Sequence, residues 1–296
     1  MTRPAIPDGL LKDISRLEPL PVTAQALLRA VSGSGSGPEM SFAKIAELIE
    51  LDQAIAANVL RMVRSAAYAG AQQVNSIREA LLRLGTSALL DLVIGDFMKR
   101  LRFAAPMYRL NEDDLWLHSA AAHLAVKAIA HERPKANIPA AALTAALVHD
   151  IGKLVMVRHL KADVGLILQY CREHKVTFVE AERALFGTDH ATVGAEMARI
   201  WKFPDIITDA IARHHDPELK DSTIVIDSVV TANLVSKTIG LGLGAEGLNL
   251  RVDMSCPKRL GLDFESFSRV CVQTTMWLDE IREAHGLGGG KPTQVH

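Results

Sequence analysis

Along most of this chain, apolar residues return every three or four positions, and nowhere do they alternate over the length of a strand. Phe42, Ile45, Ala46, Leu48 and Ile49 make one such stripe. Start and stop signals divide the pattern into helices. Pro21 opens VTAQALLRAV, and the flexible SGSGSGP at 32–38 ends it. Ser41 caps FAKIAELIEL, and Asp52 starts QAIAANVLRMV. Ser76 with Glu79 forms a capping box ahead of IREALLRL, Gly85 closes that helix, and ALLDLVIGDFMKRL follows. Pro106 interrupts the run, and Asn111 caps a long helix through DLWLHSAAAHLAVKAIA. Pro139 opens AAALTAALVHD, Thr177 with Glu180 makes a second capping box, Asp189 caps HATVGAEMARIW, and Pro204 and Pro217 bracket DIITDAIARHH. A last pattern runs from Phe264 to about Ala284, before a glycine-rich tail expected to be disordered. There is no internal repeat.

The expectation is an all-α protein in three parts. A helical N-terminal lobe covers 1–110, a helical bundle covers 111–240, and a helical extension with the tail covers 241–296.

Composition narrows this picture only a little. The chain has 296 residues, 49% hydrophobic and 23% charged, with a net charge of −1, which is ordinary for a globular protein. Aromatics are only 5%, while alanine and leucine recur throughout, which favours helix over sheet. Neither half is basic enough for a nucleic-acid surface, and Lys99, Arg100 and Arg102 read as cations complementing a helix end. No apolar run is expected to reach the roughly 18–20 residues that span a bilayer. The N-terminus has no apolar core with a cleavage site, and Cys171, Cys256 and Cys271 are far apart. A cytoplasmic protein with reduced thiols is therefore expected, with neither membrane nor nucleic acid as a partner.

Five histidines and an aspartate change the picture more: His118, the pair His149–Asp150, His190, and the pair His214–His215. With no cysteine nearby, they suit one or two divalent transition-metal ions (Fe, Mn, Co, Ni or Zn) better than a closed structural zinc site. His149 and Asp150 stand where an apolar helix runs out at Gly152, an expensive place for polar groups unless something satisfies them. His118 shares a helix face with Leu115 and should point inward, whereas His123 falls on another face. His214 and His215 diverge by about 100°, so they could serve different ions, or one could stand behind the other. Any one of these residues alone reads more simply as a core or capping histidine. Together at helix ends they point as readily to a metal centre.

Other residues carry smaller expectations. Trp116 and Trp201 should pack the core beside the cluster, Gly85 should be a C-cap, and Gly194 should mark a close helix contact. Arg61, Arg64, Ser65 and Tyr68 read as a structural helix-turn before a partner surface.

Seven segments occur in order over about two-thirds of the chain: LEPLPVTAQALL (17–28), IAELIELDQAIAANVLRMVRSAAY (45–68), VNSIREALLRLGTSALLDLVI (74–94), WLHS (116–119), ALVHDIGK (146–153), GTDHATVGAEMARIWKFP (187–204) and IARHHDP (211–217). In these the chain resembles the HDOD family, helical signal-transduction output domains related to HD-type metal phosphohydrolases. The resemblance implies an HD-like bundle in the second lobe. It implies that His118, His149 and Asp150 match the first metal ligands of the HD superfamily. His190, His214 and His215 match the additional ligands of the related HD-GYP phosphodiesterases, and Lys153 matches the lysine of their HD(x)GK motif. The terminal aspartate of that pattern is replaced by Asn233, and no GYP follows HHDP. An amide oxygen cannot neutralise a dication as a carboxylate does.

Three functions follow from the resemblance. The leading one is a regulatory output module with a degenerate metal site that acts by binding a signalling protein. The second is a metal-dependent phosphohydrolase in which Asp150 and Lys153 are catalytic and activated water attacks phosphorus. The third is a sensor that binds a nucleotide or another phosphorylated small molecule without cleaving it.

Overall fold

The computed structural model describes residues 6–16, 20–32, 42–51, 53–63, 74, 76–100, 105–111, 113–160, 164–216, 221–249 and 253–284. Among these residues there is no strand, only an isolated bridge between Ala105 and Leu110. The chain is all-α, and its helices fall into two compact units.

The helices of the first half are α1 (Asp8–Ser15), α2 (Val22–Ser32), α3 (Phe42–Leu51), α4 (Gln53–Val63) and α5 (Ile77–Arg100). One unit takes residues 18–101 and 199–204, and α2 to α5 pack there on one another around Leu27, Ile45, Ile49, Ile55, Val59, Leu89 and Phe97. Ser76 Oγ accepts the Glu79 N–H at 3.2 Å, as the capping motif predicts. Gly85 ends a helical run in the left-handed region (φ 74°), and the helix resumes at once, so α5 is bent there. A Cβ at Gly85 would meet nothing within 4 Å, so the requirement for glycine is conformational.

The other unit takes residues 1–17, 102–198 and 205–296. After α1 it contains α6 (Asp114–Glu132), α7 (Ala140–Val148), α8 (Gly152–Leu160), α9 (Val164–His174), α10 (Phe178–Phe186), α11 (His190–Ile200), α12 (Asp205–Arg213), α13 (Ile224–Thr238), α14 (Ser255–Arg259) and α15 (Phe264–Ala284). Helix α6 is its axis, buried on several faces and packed by α7, α13 and α15. The division departs from a boundary at 110. Helix α1 belongs to the later unit because it packs on α8, and the segment after α11 returns to the earlier one.

Two further expectations need correction. Helix α6 begins at Asp114, and Asn111 is not its cap: the Asn111 N–H donates to the Asp114 carboxylate at 2.6 Å. Trp201 falls in the unit of α2 to α5, where its ring lies 5.5 Å from that of Phe97. Trp116 is buried on α6 in the cluster's own unit. One stretch among the described residues, Ala140–Leu160, is long and apolar enough to cross a membrane, contrary to expectation. It is two core helices joined by the His149–Ile151 turn and is mostly buried in the bundle. Ser41, Asp52, Arg64, Ser65, Tyr68, Arg102, Pro217, the 32–38 linker beyond Ser32 and the tail after 284 lie outside the described residues.

Candidate metal centre

The cluster is assembled by a close helix crossing. Helix α7 runs out at Val148, His149 and Asp150 occupy the turn, and α8 begins at Gly152. A Cβ on Gly152 would lie 1.9 Å from the His190 carbonyl oxygen and 2.5 Å from the Gly194 nitrogen. Only glycine lets α8 start against the first turn of α11, which delivers His190 to Asp150. Gly194 is the close helix contact its position suggests. His118 comes from α6, and His214 and His215 occupy the turn that ends α12. All six ligand candidates therefore converge, and all except the half-buried His215 are buried.

Four of the five imidazoles are aimed by a bond at the far nitrogen. Nδ1 of His149 meets the Ala146 carbonyl at 2.8 Å, and Nδ1 of His214 meets that of Ile211 at 2.7 Å. Nδ1 of His118 lies 3.2 Å from the Leu241 carbonyl. Nδ1 of His190 meets the Glu182 carboxylate at 2.8 Å, and Glu182 accepts from Tyr108 in turn. These outer partners turn the Nε2 atoms toward Asp150.

Asp150 stands between two ligand groups. Its Oδ2 lies 3.4 Å from His118 Nε2 and 3.5 Å from His149 Nε2, and those two nitrogens are 3.2 Å apart. Its Oδ1 lies 3.3 Å from His190 Nε2 and 3.4 Å from His214 Nε2. His118, His149 and Asp150 each present a ligand atom within 4.8 Å of the others, and so do Asp150, His190, His214 and His215. His214 and His215 thus fall in one group and do not divide between two. Asp150 Oδ1 and the Nε2 atoms of His190, His214 and His215 are buried without a hydrogen-bond partner. Buried, unpartnered histidine nitrogens and a carboxylate oxygen around one point are costly unless something satisfies them, and once His190 has given up its proton the set fits a divalent ion.

Lys153 enters the cluster as a cation. Its ammonium lies 2.7 Å from Asp150 Oδ2 and 2.6 Å from Glu246 Oε1, and Lys237 holds Glu246 Oε2 at 3.0 Å. Glu246, Glu182, Lys237 and Tyr108 escape a reading of the sequence, because none lies within a histidine motif. Asn233 is buried, and its amide oxygen has no hydrogen-bond partner. It stands one turn before Lys237 on α13. Asp227 is turned away, paired with Arg259 at 2.7 Å.

Burial fixes most protonation states. It pushes His118 down to about 4, against the pull of Asp150, and holds His149 and His215 well below the usual imidazole value. His214 is lowered for the same reason. These four are neutral at pH 7, the form in which imidazole binds metal. Burial also acts to lower His190, but the Glu182 and Asp150 carboxylates outweigh it and raise the group to about 10. Burial alone would raise Asp150, yet Lys153 and the histidines keep it well below the carboxylate range.

Residues 17–217 match the model of the HDOD domain. This chain belongs to the HDOD family. Its fold resembles that of an HDOD domain protein of unknown function from Geobacter sulfurreducens, at 24% identity and a TM-score of 0.59 over 97% of this chain and 91% of that one. A candidate signal transduction protein from Marinobacter aquaeolei VT8 gives 22% identity and a TM-score of 0.67 over 95% of this chain and 65% of that one. A candidate metal-dependent phosphohydrolase from Shewanella amazonensis SB2B gives 22% and 0.54 over 90% and 96%. An uncharacterised protein of Treponema pallidum (strain Nichols) is 21% identical over 68% of this HDOD chain, which spans only 38% of that relative's length.

Proposed function

We propose that this HDOD chain is a regulatory output module whose His/Asp cluster holds a divalent transition-metal ion, and that it acts by binding a protein partner. The observation that carries the reading is the engagement of Lys153 by Asp150 and Glu246. The lysine placed to steady phosphoryl charge is neutralised from within, and Asn233 stands where the HD pattern has a carboxylate. His118, His149, Asp150, His190, His214 and His215 would hold the metal, which supplies Lewis acidity and cross-links α6, α11 and the turns after α7 and α12.

A second reading, a metal-dependent phosphohydrolase, is favoured by one observation. Asp150 presents one oxygen to each of two ligand groups, an arrangement suited to a pair of ions. One experiment separates the two. Protein fully loaded with Mn, Fe or Co is assayed against cyclic dinucleotides, nucleotides and generic phosphoesters, and pull-downs compare wild type with His149→Ala. A partner complex that survives His149→Ala, without hydrolysis, supports the regulatory module. Metal-dependent turnover that vanishes in Asp150→Ala would replace it with the hydrolase.

A further inference from the structure

We infer that Lys153 and Lys237 form a binding site for a phosphoryl oxyanion, which the chain's own Glu246 fills as an internal plug. The two ammonium groups grip one carboxylate from opposite oxygens, at 2.6 Å and 3.0 Å. All three side chains are buried, so this is a built anion site and not a surface ion pair. Lys153 also touches Asp150, which joins the anion site to the ligand cluster, and its ammonium lies 5.3 Å from the centre of the Tyr108 ring.

The plug follows a turn that contains three glycines. Gly240, Gly242 and Gly244 all adopt left-handed φ, at 86°, 65° and 38°. A Cβ on Gly242 would lie 2.4 Å from His118 Nδ1, so the turn lies directly on a ligand residue. A few polar contacts fasten it: Leu241 N–H to Ser236 O at 2.9 Å, Ala245 N–H to Tyr108 O at 2.8 Å, and the contact of Leu241 O with His118. Release of the turn would withdraw Glu246 and leave two lysines facing the cluster.

The chemical class follows from charge. Lys153 and Lys237 balance Asp150 and Glu246, one for one. A divalent ion in the cluster adds two positive charges, which a single carboxylate does not offset. A phosphoryl group carries about −1.5 to −2 near pH 7 and takes lysine as a point-charge partner. In this respect the inference rests on the reading of the cluster as a metal centre.

The test is calorimetry on the full metal-loaded chain, with metal content measured on the same samples. Wild type, Glu246→Gln and the double variant Glu246→Gln/Lys237→Met are titrated with inorganic phosphate, a nucleoside monophosphate and acetate. Glu246→Gln should bind phosphate tighter than wild type by on the order of tenfold or more, and the double variant should lose the gain. A gain for the inorganic ion alone makes free phosphate the ligand. A gain for the nucleotide as well makes it a phosphoryl group on a larger molecule. Normal metal content with no gain in Glu246→Gln, or an equal gain for acetate, overturns the inference and leaves the metal centre standing. Absence of metal from every sample overturns the metal centre, and the phosphate titration still decides the lysine pair. Should Glu246→Gln not fold, hydrogen exchange on wild type replaces it. Phosphate should raise amide exchange across 241–247, and unchanged exchange would overturn the plug.

Discussion

Replacing Gly152 with alanine should push apart the two helices that bring Asp150 and His190 together. The new methyl group would lie 1.9 Å from the His190 carbonyl oxygen and 2.5 Å from the Gly194 nitrogen. Ordinary contact is about 3.5 Å or more, so α8 and α11 must separate by more than roughly 1 Å. Overpacking costs about 1–3 kcal/mol, and with backbone as the obstacle the upper end applies. At about 2–4 °C per kcal/mol, the melting temperature should fall by roughly 6–12 °C. Metal–ligand distances tolerate only about 0.2 Å, so affinity should fall by at least on the order of tenfold. Two other glycines calibrate the effect. In Gly194→Ala the nearest atoms lie at 3.1 Å, so small shifts suffice and the loss should be about 1 kcal/mol. In Gly187→Ala the Cβ meets nothing within 4 Å, and only the left-handed φ of 71° costs about 1 kcal/mol, with metal binding unchanged. Thermal unfolding followed by circular dichroism, with metal content by elemental analysis, reads all three. A Gly152→Ala protein that melts with wild type and keeps its metal would refute the crossing as the device that assembles the site.

Three further outcomes are expected. Glu182→Gln weakens the hold on His190 and should lower metal affinity by about 10–100-fold in calorimetry, and an unchanged affinity would remove His190 from the ligand set. In metal-free protein, His118 is depressed to about 4 from an unfolded value near 6.5, so its neutral burial costs nothing above pH 6.5 and destabilises increasingly as pH falls toward 4. His149, His214 and His215 act in the same direction. His190, raised to about 10, stabilises fully below pH 6.5 and loses that contribution as pH rises through 10, but one group does not offset four. The melting temperature should therefore drop between pH 7 and pH 5, and a rise over that range would contradict the assignment. Because His190 must lose its proton to bind a metal, binding at pH 7 should release protons, measurable as a buffer-dependent calorimetric heat, and no dependence on buffer would contradict it.

The helical class was legible in the chain because apolar spacing and capping signals are local. Thr177 and Glu180 form the reciprocal box their spacing promises, and the Asp189 carboxylate accepts the Thr192 N–H at 2.7 Å. The ligand candidates were legible too, as rare residue types at helix ends. Other features depend on which helices touch, and local spacing does not encode that. Trp201 looks like any core tryptophan until the turn after α11 carries it to Phe97. Asn111 and Asp114 both carry side chains suited to a helix start, and the structure alone shows that the carboxylate accepts and the asparagine supplies only backbone. Glu182 and Glu246 resemble ordinary surface acids in the chain. They become visible only as partners of His190 and Lys153, eight residues and a whole bundle away respectively.

The most direct test of the central claim is elemental analysis of purified, tag-free protein beside His149→Ala and Asp150→Ala. The account predicts near-stoichiometric Fe, Mn, Co, Ni or Zn in wild type. Asp150→Ala should lose it entirely, because one oxygen of that carboxylate faces each ligand group, and His149→Ala, which removes one of the six ligands, should lose most of it. No bound metal in wild type after reconstitution, or full metal content in Asp150→Ala, would contradict it.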